Sequence, residues 1–292
     1  MTAGYEMLSL EGRTALVTGS SRNLGLAMAS LMASRGARVI LHAGRSADEL
    51  EAAVAQIRAA GGEASGILAP LDSEKSVDDL AARALAAYGS VDILVNNASL
   101  RPEAEFEELS LQGWRDIVSV NLEAPFMLCR DLIPAMADRG WGRVVNIAGI
   151  DAFWGKPTKP HAVTANLGKI GLTRSLAVRY GARGVTVNAV MPGSMLTSRT
   201  KSLASYPDLD RGFERVLGRI PLGRAGTPQE LAEVVVFLCS AAAGFVTGQA
   251  IHVNGGAFPT TVDPMAEPIE NAESVRAFID AAYGRSPGEG NS

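Results

Sequence analysis

Strand-like and helical patterns alternate along most of the 292-residue chain. Longer segments with helical spacing, such as residues 24–35 and 48–60, separate short apolar segments of the kind that form buried strands. The apolar segments start near residue 14 and recur at residues 38–42, 64–68, 91–95, 143–147, 185–190 and 250–253. This alternation is typical of right-handed strand–helix–strand units. We therefore predict an α/β protein whose single doubly wound parallel sheet has about seven strands and helices on both faces.

A glycine-bounded turn joins the first strand to the first helix. Residues 14–27 read TALVTGSSRNLGLA, which predicts a strand, a tight turn and a helix start. The free N–H groups and partial positive charge of a helix N-terminus attract a pyrophosphate, which indicates a Rossmann-type fold. Asn23 replaces a glycine between Gly19 and Gly25, and asparagine tolerates positive φ. Taken alone, the turn also fits a plain strand-to-helix connection. The predicted phosphate-binding residues are Gly19, Ser21, Arg22, Asn23, Leu24 and Gly25.

Composition and charge narrow the class of protein. A formal net charge of −4 argues against nucleic acid or an anionic membrane as the main partner. Cys129 and Cys239 both lie in apolar helical segments, so we expect buried thiols rather than a disulfide. The chain starts with no signal-peptide pattern and has no long uncharged apolar stretch, and we expect a cytoplasmic protein. No metal site is predicted.

The domain organisation follows from the composition along the chain. We expect one domain over residues 1–257 and a C-terminal arm over residues 258–292, which holds a short helical pattern and a polar tail. Residues 194–223 have no strong periodicity and are predicted to form a lid over the ligand. The predicted substrate walls are Phe153, Trp154 and Met195.

Five sequence motifs follow one another along the chain in an order that is characteristic of one superfamily. They are TGSSRNLG at the first turn, Asp92 to Ala98 reading DILVNNA, Asn121 in SVNLEAPF, Pro192 and Gly193 followed by Thr197, and the closing TGQAIHVNGG. With these motifs the chain resembles the short-chain dehydrogenase/reductase superfamily over about residues 10–257. The resemblance implies a nicotinamide dinucleotide cofactor, a small carbonyl or hydroxyl substrate and a dimer or tetramer. It also implies cofactor contacts from Asn97, Ala98, Pro192, Gly193 and Thr197.

Charge at the end of the second strand bears on the choice of cofactor. NAD-preferring enzymes usually place an acid there for the ribose 2′-hydroxyl, but this chain reads LHAGRS at residues 41–46. Arg22 and Arg45, with Ser46 beside them, suit a 2′-phosphate, so NADP(H) is favoured over NAD(H). Solvated turn arginines are the alternative interpretation. Asp72 is a further candidate, near the usual adenine contact.

The catalytic segment departs from the pattern of the superfamily. Members carry a serine after the fifth strand, a tyrosine that acts as general acid or base, and a lysine one helical turn later. The resemblance assigns these three positions to Gly149, Ala162 and Asn166. Of the usual catalytic set only Asn121 is present, so we do not expect standard carbonyl reduction.

Four nearby residues are candidates to replace the missing groups. His161 precedes the tyrosine position in the predicted first turn of a long helix, although a surface or capping histidine is equally plausible. Lys169 interrupts an apolar face, where the alternative is a snorkelling side chain at a subunit interface. Asp151 is predicted to orient His161 or to act as a base, with a loop-capping role as the alternative. Asn166 is predicted to hydrogen-bond ribose or substrate.

Three functional hypotheses remain open at this point. The favoured one is an NADP-dependent oxidoreductase with a non-standard proton relay. The others are a non-redox lyase, hydrolase or isomerase on the same scaffold, and a nucleotide-binding subunit without chemistry, because a fold fixes the site but not the reaction. We also expect a homo-oligomer, since Phe126, Leu128, Ile170 and Leu176 form apolar stripes on two helices.

Overall fold

A seven-stranded parallel sheet forms the centre of the computed structural model, which describes residues 7–198, 218 and 220–259. The strands lie in the order β3-β2-β1-β4-β5-β6-β7, and every neighbouring pair is parallel. Their bounds are β1 Thr14–Val17, β2 Arg38–Ala43, β3 Glu63–Leu68, β4 Ile93–Asn96, β5 Gly142–Ile147, β6 Val185–Pro192 and β7 Ala250–Val253. The predicted fold class is therefore confirmed.

Helices cover both faces of this sheet. They are α1 Asn23–Ser34, α2 Ala47–Ala59, α3 Glu74–Tyr88, α4 Leu111–Val118, α5 Ala124–Asp138, α6 Asp151–Trp154, α7 Pro160–Tyr180 and α8 Pro228–Cys239. One core cluster packs α1, α2 and α8 against one face, and a second packs α3, α5 and the end of α7 against the other. Among the described helices, none has the length and apolar character needed to cross a bilayer.

Local sequence explains the central strands and the helix starts. Strands β1, β4, β5 and β6 are buried at every position because helices cover both faces of a parallel sheet. Helix α8 begins with a capping box, in which Thr227 and Glu230 satisfy each other's backbone N–H groups, and Pro228 occupies its first turn. Both cysteines are free and buried, as predicted.

Several predicted boundaries shift by a few residues. Strand β4 begins at Ile93 rather than at residue 91, because Asp92 turns its carboxylate back to accept the N–H of Thr14 at 3.0 Å. Strand β6 continues to Pro192, where it pairs with Val253. Residues 260–292 of the predicted arm, and residues 199–217 and 219 of the predicted lid, lie outside the described residues.

The strand order indicates where a ligand is expected to bind. The chain runs outward from β1 in both directions, so the order reverses between β1 and β4. Ligands of doubly wound sheets bind outside the carboxyl ends of the strands at such a reversal. The turns after β1, β4, β5 and β6 all reach this edge.

Candidate active site

The turn after β1 is packed so closely that only glycine fits at two positions. A Cβ atom on Gly19 would lie 2.8 Å from the Ala98 Cα, and one on Gly25 would lie 2.7 Å from the Asn97 Nδ2. Asn97 Nδ2 donates to the carbonyl oxygens of Thr18 and Gly19, each at 2.9 Å. The structure therefore brings Asn97 and Ala98 against the turn, where they hold its shape.

Asn23 adopts the backbone conformation predicted for it. Its φ is 51°, and among the described residues it is the only non-glycine with positive φ. Its Oδ1 accepts the N–H of Ser198 at 2.8 Å, and its Nδ2 donates to the Ser198 Oγ at 3.1 Å. The first turn is thereby tied to the segment after β6, next to Thr197.

The start of α1 is open to an anion. Its N-cap residue Arg22 has an extended backbone and makes no side-chain cap, and the first turn carries no acidic residue. The first N–H groups of a helix that lack a cap bind phosphate oxygens well. Together with the contacts of Gly19 and Gly25, this geometry fits the pyrophosphate of a dinucleotide.

The two arginines predicted at the 2′-phosphate differ in their surroundings. Arg22 Nη1 pairs with Glu49 Oε1 at 3.0 Å, and Ser21 Oγ donates to the same carboxylate at 3.4 Å. Arg45 is exposed and has no ion-pair partner among the described residues. Ser46 is the N-cap of α2 but does not cap it with its side chain.

Asp72 lies between β3 and α3. It is exposed and lines a cleft of about 500 Å³ whose other residues include Glu74 of α3 and Phe126, Met127 and Arg130 of α5.

The position assigned to serine is occupied by other side chains. A Cβ atom on Gly149 would lie 2.5 Å from Asp151 Oδ1 and 2.9 Å from Asn166 Nδ2. These two atoms are hydrogen-bonded to each other at 3.0 Å. The structure therefore brings Asp151 and Asn166 together directly above Gly149, and the prediction that Asp151 orients His161 is corrected, since its carboxylate binds Asn166 instead.

Lys169 is buried beside this pair and not at the surface. The residue is 1% exposed, and its Nζ donates to the carbonyl oxygen of Ile147 at 2.6 Å. Burial lowers the pKa of Lys169 to about 7, the charge of Arg101 acts in the same direction, and the charge of Asp151 opposes it. The snorkelling interpretation of Lys169 is therefore wrong, because its amine lies within the protein at the carboxyl end of β5.

His161 lies in the first turn of α7, as predicted, but it is neither a surface residue nor bound to Asp151. It is 1% exposed, and its Nδ1 accepts the N–H of Ala162 at 2.8 Å. Its Nε2 is buried without a hydrogen-bond partner among the described residues. An unpaired buried nitrogen is costly unless a ligand or water satisfies it.

Asn121 holds the loop after β4. It lies in a π-helical turn, Ser119–Glu123, and its amide exchanges two hydrogen bonds of 2.8 Å with the backbone N–H and carbonyl of Leu100. This makes it a positioning residue for the segment that carries Arg101.

A cluster of opposite charges flanks the candidate site, and sequence reasoning missed it. Glu103 pairs with Lys159 at 2.8 Å and with Lys156 at 3.1 Å, and hydrogen bonds from these lysines lower the pKa of Glu103 to about 2. The Ala104 N–H donates to the Thr158 carbonyl at 3.0 Å, so the loops after β4 and β5 are joined. No local pattern reveals this pairing, because the residues are more than fifty positions apart.

The three residues predicted to form the substrate walls differ in exposure. Phe153 and Trp154 are exposed, and the ring of Phe153 stacks on Phe258 at 5.0 Å between centroids. Met195 is 8% exposed and packs into the core, where a Cβ on Gly226 would lie 2.7 Å from its sulfur. Met195 is therefore corrected from an open wall to a core residue.

Comparisons with known proteins agree with this architecture. A family described as Enoyl-(Acyl carrier protein) reductase matches residues 19–257. The 3-oxoacyl-[acyl-carrier-protein] reductase FabG of Aquifex aeolicus is 38% identical over 252 residues, which are 86% of this chain and 99% of that protein. The Escherichia coli FabG is 35% identical over 252 residues, with the same two coverages.

Two solved structures show how close the fold is. A candidate NAD(P)-dependent gluconate 5-dehydrogenase from Beutenbergia cavernae, with NADP bound at low occupancy, is 38% identical with a TM-score of 0.81, covering 87% of this chain and 100% of that one. A 3-oxoacyl-(acyl-carrier-protein) reductase from Agrobacterium tumefaciens with NADP bound is 34% identical with a TM-score of 0.81, covering 88% of this chain and 98% of that one.

Proposed function

The chain belongs to the short-chain dehydrogenase/reductase superfamily as an NAD(P)-dependent oxidoreductase, and on that premise we propose that it interconverts a small carbonyl compound and its alcohol through a proton relay of its own. In this relay Lys169, Asp151 and Asn166 together replace the usual serine, tyrosine and lysine, and Lys169 is the proton donor. The observation that carries the proposal is the contact at Gly149, where Asp151 Oδ1 and Asn166 Nδ2 occupy the space of a side chain.

The cofactor in the proposal is NADP(H). The first N–H groups of α1 hold its pyrophosphate, and Arg45 binds the 2′-phosphate with help from Arg22. Asn97, Ala98, Pro192, Gly193 and Thr197 line the rest of its site. When bound, the cofactor supplies a hydride to the carbonyl carbon or accepts one from the alcohol.

Lys169 is the proton donor in the direction of reduction. A pKa of about 7 leaves a substantial fraction of the Nζ protonated at neutral pH, so that Lys169 would supply the proton that the carbonyl oxygen needs. One N–H of the ammonium is fixed by the Ile147 carbonyl, which leaves two donors for other acceptors. The Asp151 carboxylate, oriented by Asn166, favours the charged form.

His161 is the second candidate for the proton. Its unpaired Nε2 supports this, because a buried nitrogen without a partner is available to a ligand atom. A His161→Ala change separates the two candidates: it should lower turnover by about 10²–10⁴-fold if His161 is the acid, and leave turnover nearly unchanged if Lys169 is.

The loops at the mouth of the site favour a substrate with an anionic group. Lys156 and Lys159 lie in the loop after β5, and the single carboxylate of Glu103 pairs with both of them. Phe153 and Trp154 supply an apolar wall. We therefore propose a carbonyl compound that carries a carboxylate or a similar acid, as does the gluconate named for one relative.

The proposal includes a homo-oligomer. Phe126 on α5 and Leu167 and Val178 on α7 are large apolar residues with exposed side chains. Apolar residues exposed on two neighbouring helices are typical of a subunit interface. Light scattering at micromolar concentration should give a dimer or tetramer, and a monomer would contradict this part.

The function is tested by incubating the purified protein with NADPH and a panel of keto acids, 3-oxoacyl thioesters and neutral ketones. Cofactor absorbance and product are followed together, and oxidation of NADPH in a fixed ratio to alcohol formed is the expected result. Product formed without cofactor oxidation would replace the proposal with non-redox chemistry. Tight NADPH binding with no product from any compound would favour a binding subunit.

Rebuilding the usual catalytic set tests the relay itself. Gly149→Ser alone places its side chain against Asp151 and Asn166, so the triple change Gly149→Ser, Ala162→Tyr and Asn166→Lys should work only when Asp151→Ala is added. We expect the quadruple variant to reduce neutral ketones faster than the triple variant. Equal rates would show that Asp151 does not occupy the serine position.

A further inference from the structure

His42 makes three hydrogen bonds to the phosphate turn and one to the residue that follows β3. Its backbone carbonyl accepts the N–H of Ser20 at 2.9 Å, and its own N–H donates to the Ser20 Oγ at 3.0 Å. Its ring accepts the N–H of Gly19 at Nδ1, at 3.1 Å, and bonds the carbonyl of Ala69 through Nε2, at 2.8 Å. The ring is 1% exposed, so no solvent replaces these partners.

The two ring contacts specify one protonation state. Gly19 N–H is a donor, so Nδ1 must be an unprotonated acceptor, and the Ala69 carbonyl is an acceptor, so Nε2 must carry the proton. A protonated Nδ1 would place two N–H groups against each other. Only the neutral Nε2–H form satisfies both neighbours.

These contacts decide which N–H groups of the turn remain for an anion. The N–H groups of Gly19 and Ser20 both point to His42, one to its ring and the other to its carbonyl. Gly19 is thereby held at a φ of 62°, close against Ala98. The later N–H groups, at the start of α1, are left facing the open end of the helix.

From this geometry we infer that His42 is a positioning residue for the dinucleotide, acting through the Gly19 N–H to set the phosphate turn before the cofactor binds. The bond to Ala69 fixes the ring but does not reach the turn. Of the two ring contacts, the Gly19 bond is therefore the one that determines cofactor affinity.

The surroundings of the ring keep it in the required state. The ring bonds the turn after β1 and the residue that follows β3, and among the described residues no charged side chain shifts its pKa. Burial lowers the pKa of His42 to about 4, with the Ala69 bond opposing that effect. The ring is neutral at ordinary cellular pH.

Two substitutions separate the ring contacts. His42→Asn places an amide oxygen close to the position of Nδ1, which keeps an acceptor for Gly19 and gives up the Ala69 bond. His42→Gln places its amide close to the position of Nε2, which keeps a donor for Ala69 and leaves the Gly19 N–H without its acceptor. Both changes remove the ring, and both keep a polar group.

The measurement is the NADPH dissociation constant by fluorescence titration, which needs no turnover, together with the melting temperature without cofactor. We expect His42→Gln to weaken NADPH binding by about tenfold or more and His42→Asn by about threefold or less, since a buried unpaired N–H is costly. Hydrogen exchange of the peptide over residues 14–24 should be faster in His42→Gln than in His42→Asn. Val54→Ala, a core truncation in α2, controls for general destabilisation.

The result of this test is independent of the proposed reaction, because the NADPH dissociation constant, the melting temperature and hydrogen exchange are all measured without a substrate. Equal weakening in both variants, tracking their melting temperatures and matched by Val54→Ala, would mean that His42 is only a structural residue. Unchanged affinity in His42→Gln would also overturn the inference.

Discussion

The phosphate turn and the catalytic edge lie at the same end of one sheet, yet they respond differently to sequence change. At the turn after β1, Asn23 stands where the superfamily has glycine, and its positive φ of 51° keeps the backbone path. At the end of β5, the resemblance assigns the serine, tyrosine and lysine positions to Gly149, Ala162 and Asn166. There, Asp151 and Asn166 occupy the space beside Gly149.

The difference reflects how each region works. Phosphate is held by backbone N–H groups and a helix end, so at a position with room for a side chain, such as Asn23, a residue that adopts the required φ preserves the site. Proton transfer depends on a particular side-chain group with a suitable pKa, so losing one member removes most of the effect unless another group takes its place. On the proposed account, the Lys169 Nζ is that other group.

The largest expected effect comes from removing the amine at the catalytic edge. Lys169→Met keeps the length of the side chain and removes its proton, and turnover should fall by about 10²–10⁴-fold while the NADPH dissociation constant stays nearly unchanged. Steady-state kinetics and a fluorescence titration on the same preparation measure both.

Lys159→Met is the matched control for that change. Lys159 is also a largely buried lysine, but its Nζ pairs with Glu103, whereas the Lys169 Nζ donates to the Ile147 carbonyl. Its substitution should raise the KM for an anionic substrate more than it lowers kcat. A similar loss of kcat in both variants would show that general damage, and not the loss of one proton donor, is being measured.

At the phosphate turn, adding one carbon should be nearly as harmful. Gly25→Ala forces a Cβ against Gly19 and Asn97, and such overpacking costs about 1–3 kcal/mol, so NADPH binding should weaken by up to about 100-fold. Gly171→Ala in α7 is the control, because a Cβ there meets no atom within 4 Å among the described residues. Calorimetry that finds full affinity in Gly25→Ala would contradict the close-packed turn.

Cofactor preference gives the next largest effect. NADP(H) should bind about tenfold or more tightly than NAD(H), and Arg22→Ala combined with Arg45→Ala should remove most of that difference. Arg45→Ala alone should account for the larger share, because Arg22 is already paired with Glu49. Equal affinities for the two cofactors in the unmodified protein would end this part of the proposal.

The smallest effect concerns the link between the two regions. Asn23→Gly keeps the positive φ but removes both bonds to Ser198, and NADPH should dissociate about threefold faster with little change in melting temperature. Ser198→Ala, which removes only the Oγ bond, should have a smaller effect. Stopped-flow displacement of NADPH measures the rates, and identical rates in all three proteins would show that the link does not act on the cofactor.

Periodicity and turn chemistry were sufficient to predict the fold. Seven apolar segments became seven parallel strands, and the positive φ of Asn23 followed from the short list of residues that tolerate it. These features are local, because strand burial and turn geometry depend on neighbours within a few residues. The errors at β4 and β6 are at boundaries, where a contact such as Asp92 with Thr14 comes from a distant segment.

The side-chain contacts of the site were not predictable in the same way. For Lys169 the sequence left open a catalytic role and a snorkelling side chain at a subunit interface, and only the structure shows the Ile147 carbonyl that accepts its hydrogen bond. The sequence does indicate His42, because it is a polar residue that follows the apolar residues Val39 to Leu41 near the end of β2. Met195 was assigned to an open wall, and its burial against Gly226 depends on a segment thirty residues away.

The most direct test of the account is the pH dependence of kcat/KM for reduction, measured between pH 5 and 9 with saturating NADPH. Because burial lowers the pKa of Lys169 to about 7, its ammonium is present below that pH and is lost as pH rises through it. We predict that kcat/KM falls about tenfold per pH unit above a value near 7, and that the oxidation of the alcohol rises over the same range. A reduction rate that stays level to pH 9, or a fall that persists in the residual activity of Lys169→Met, would contradict the assignment of the proton to Lys169.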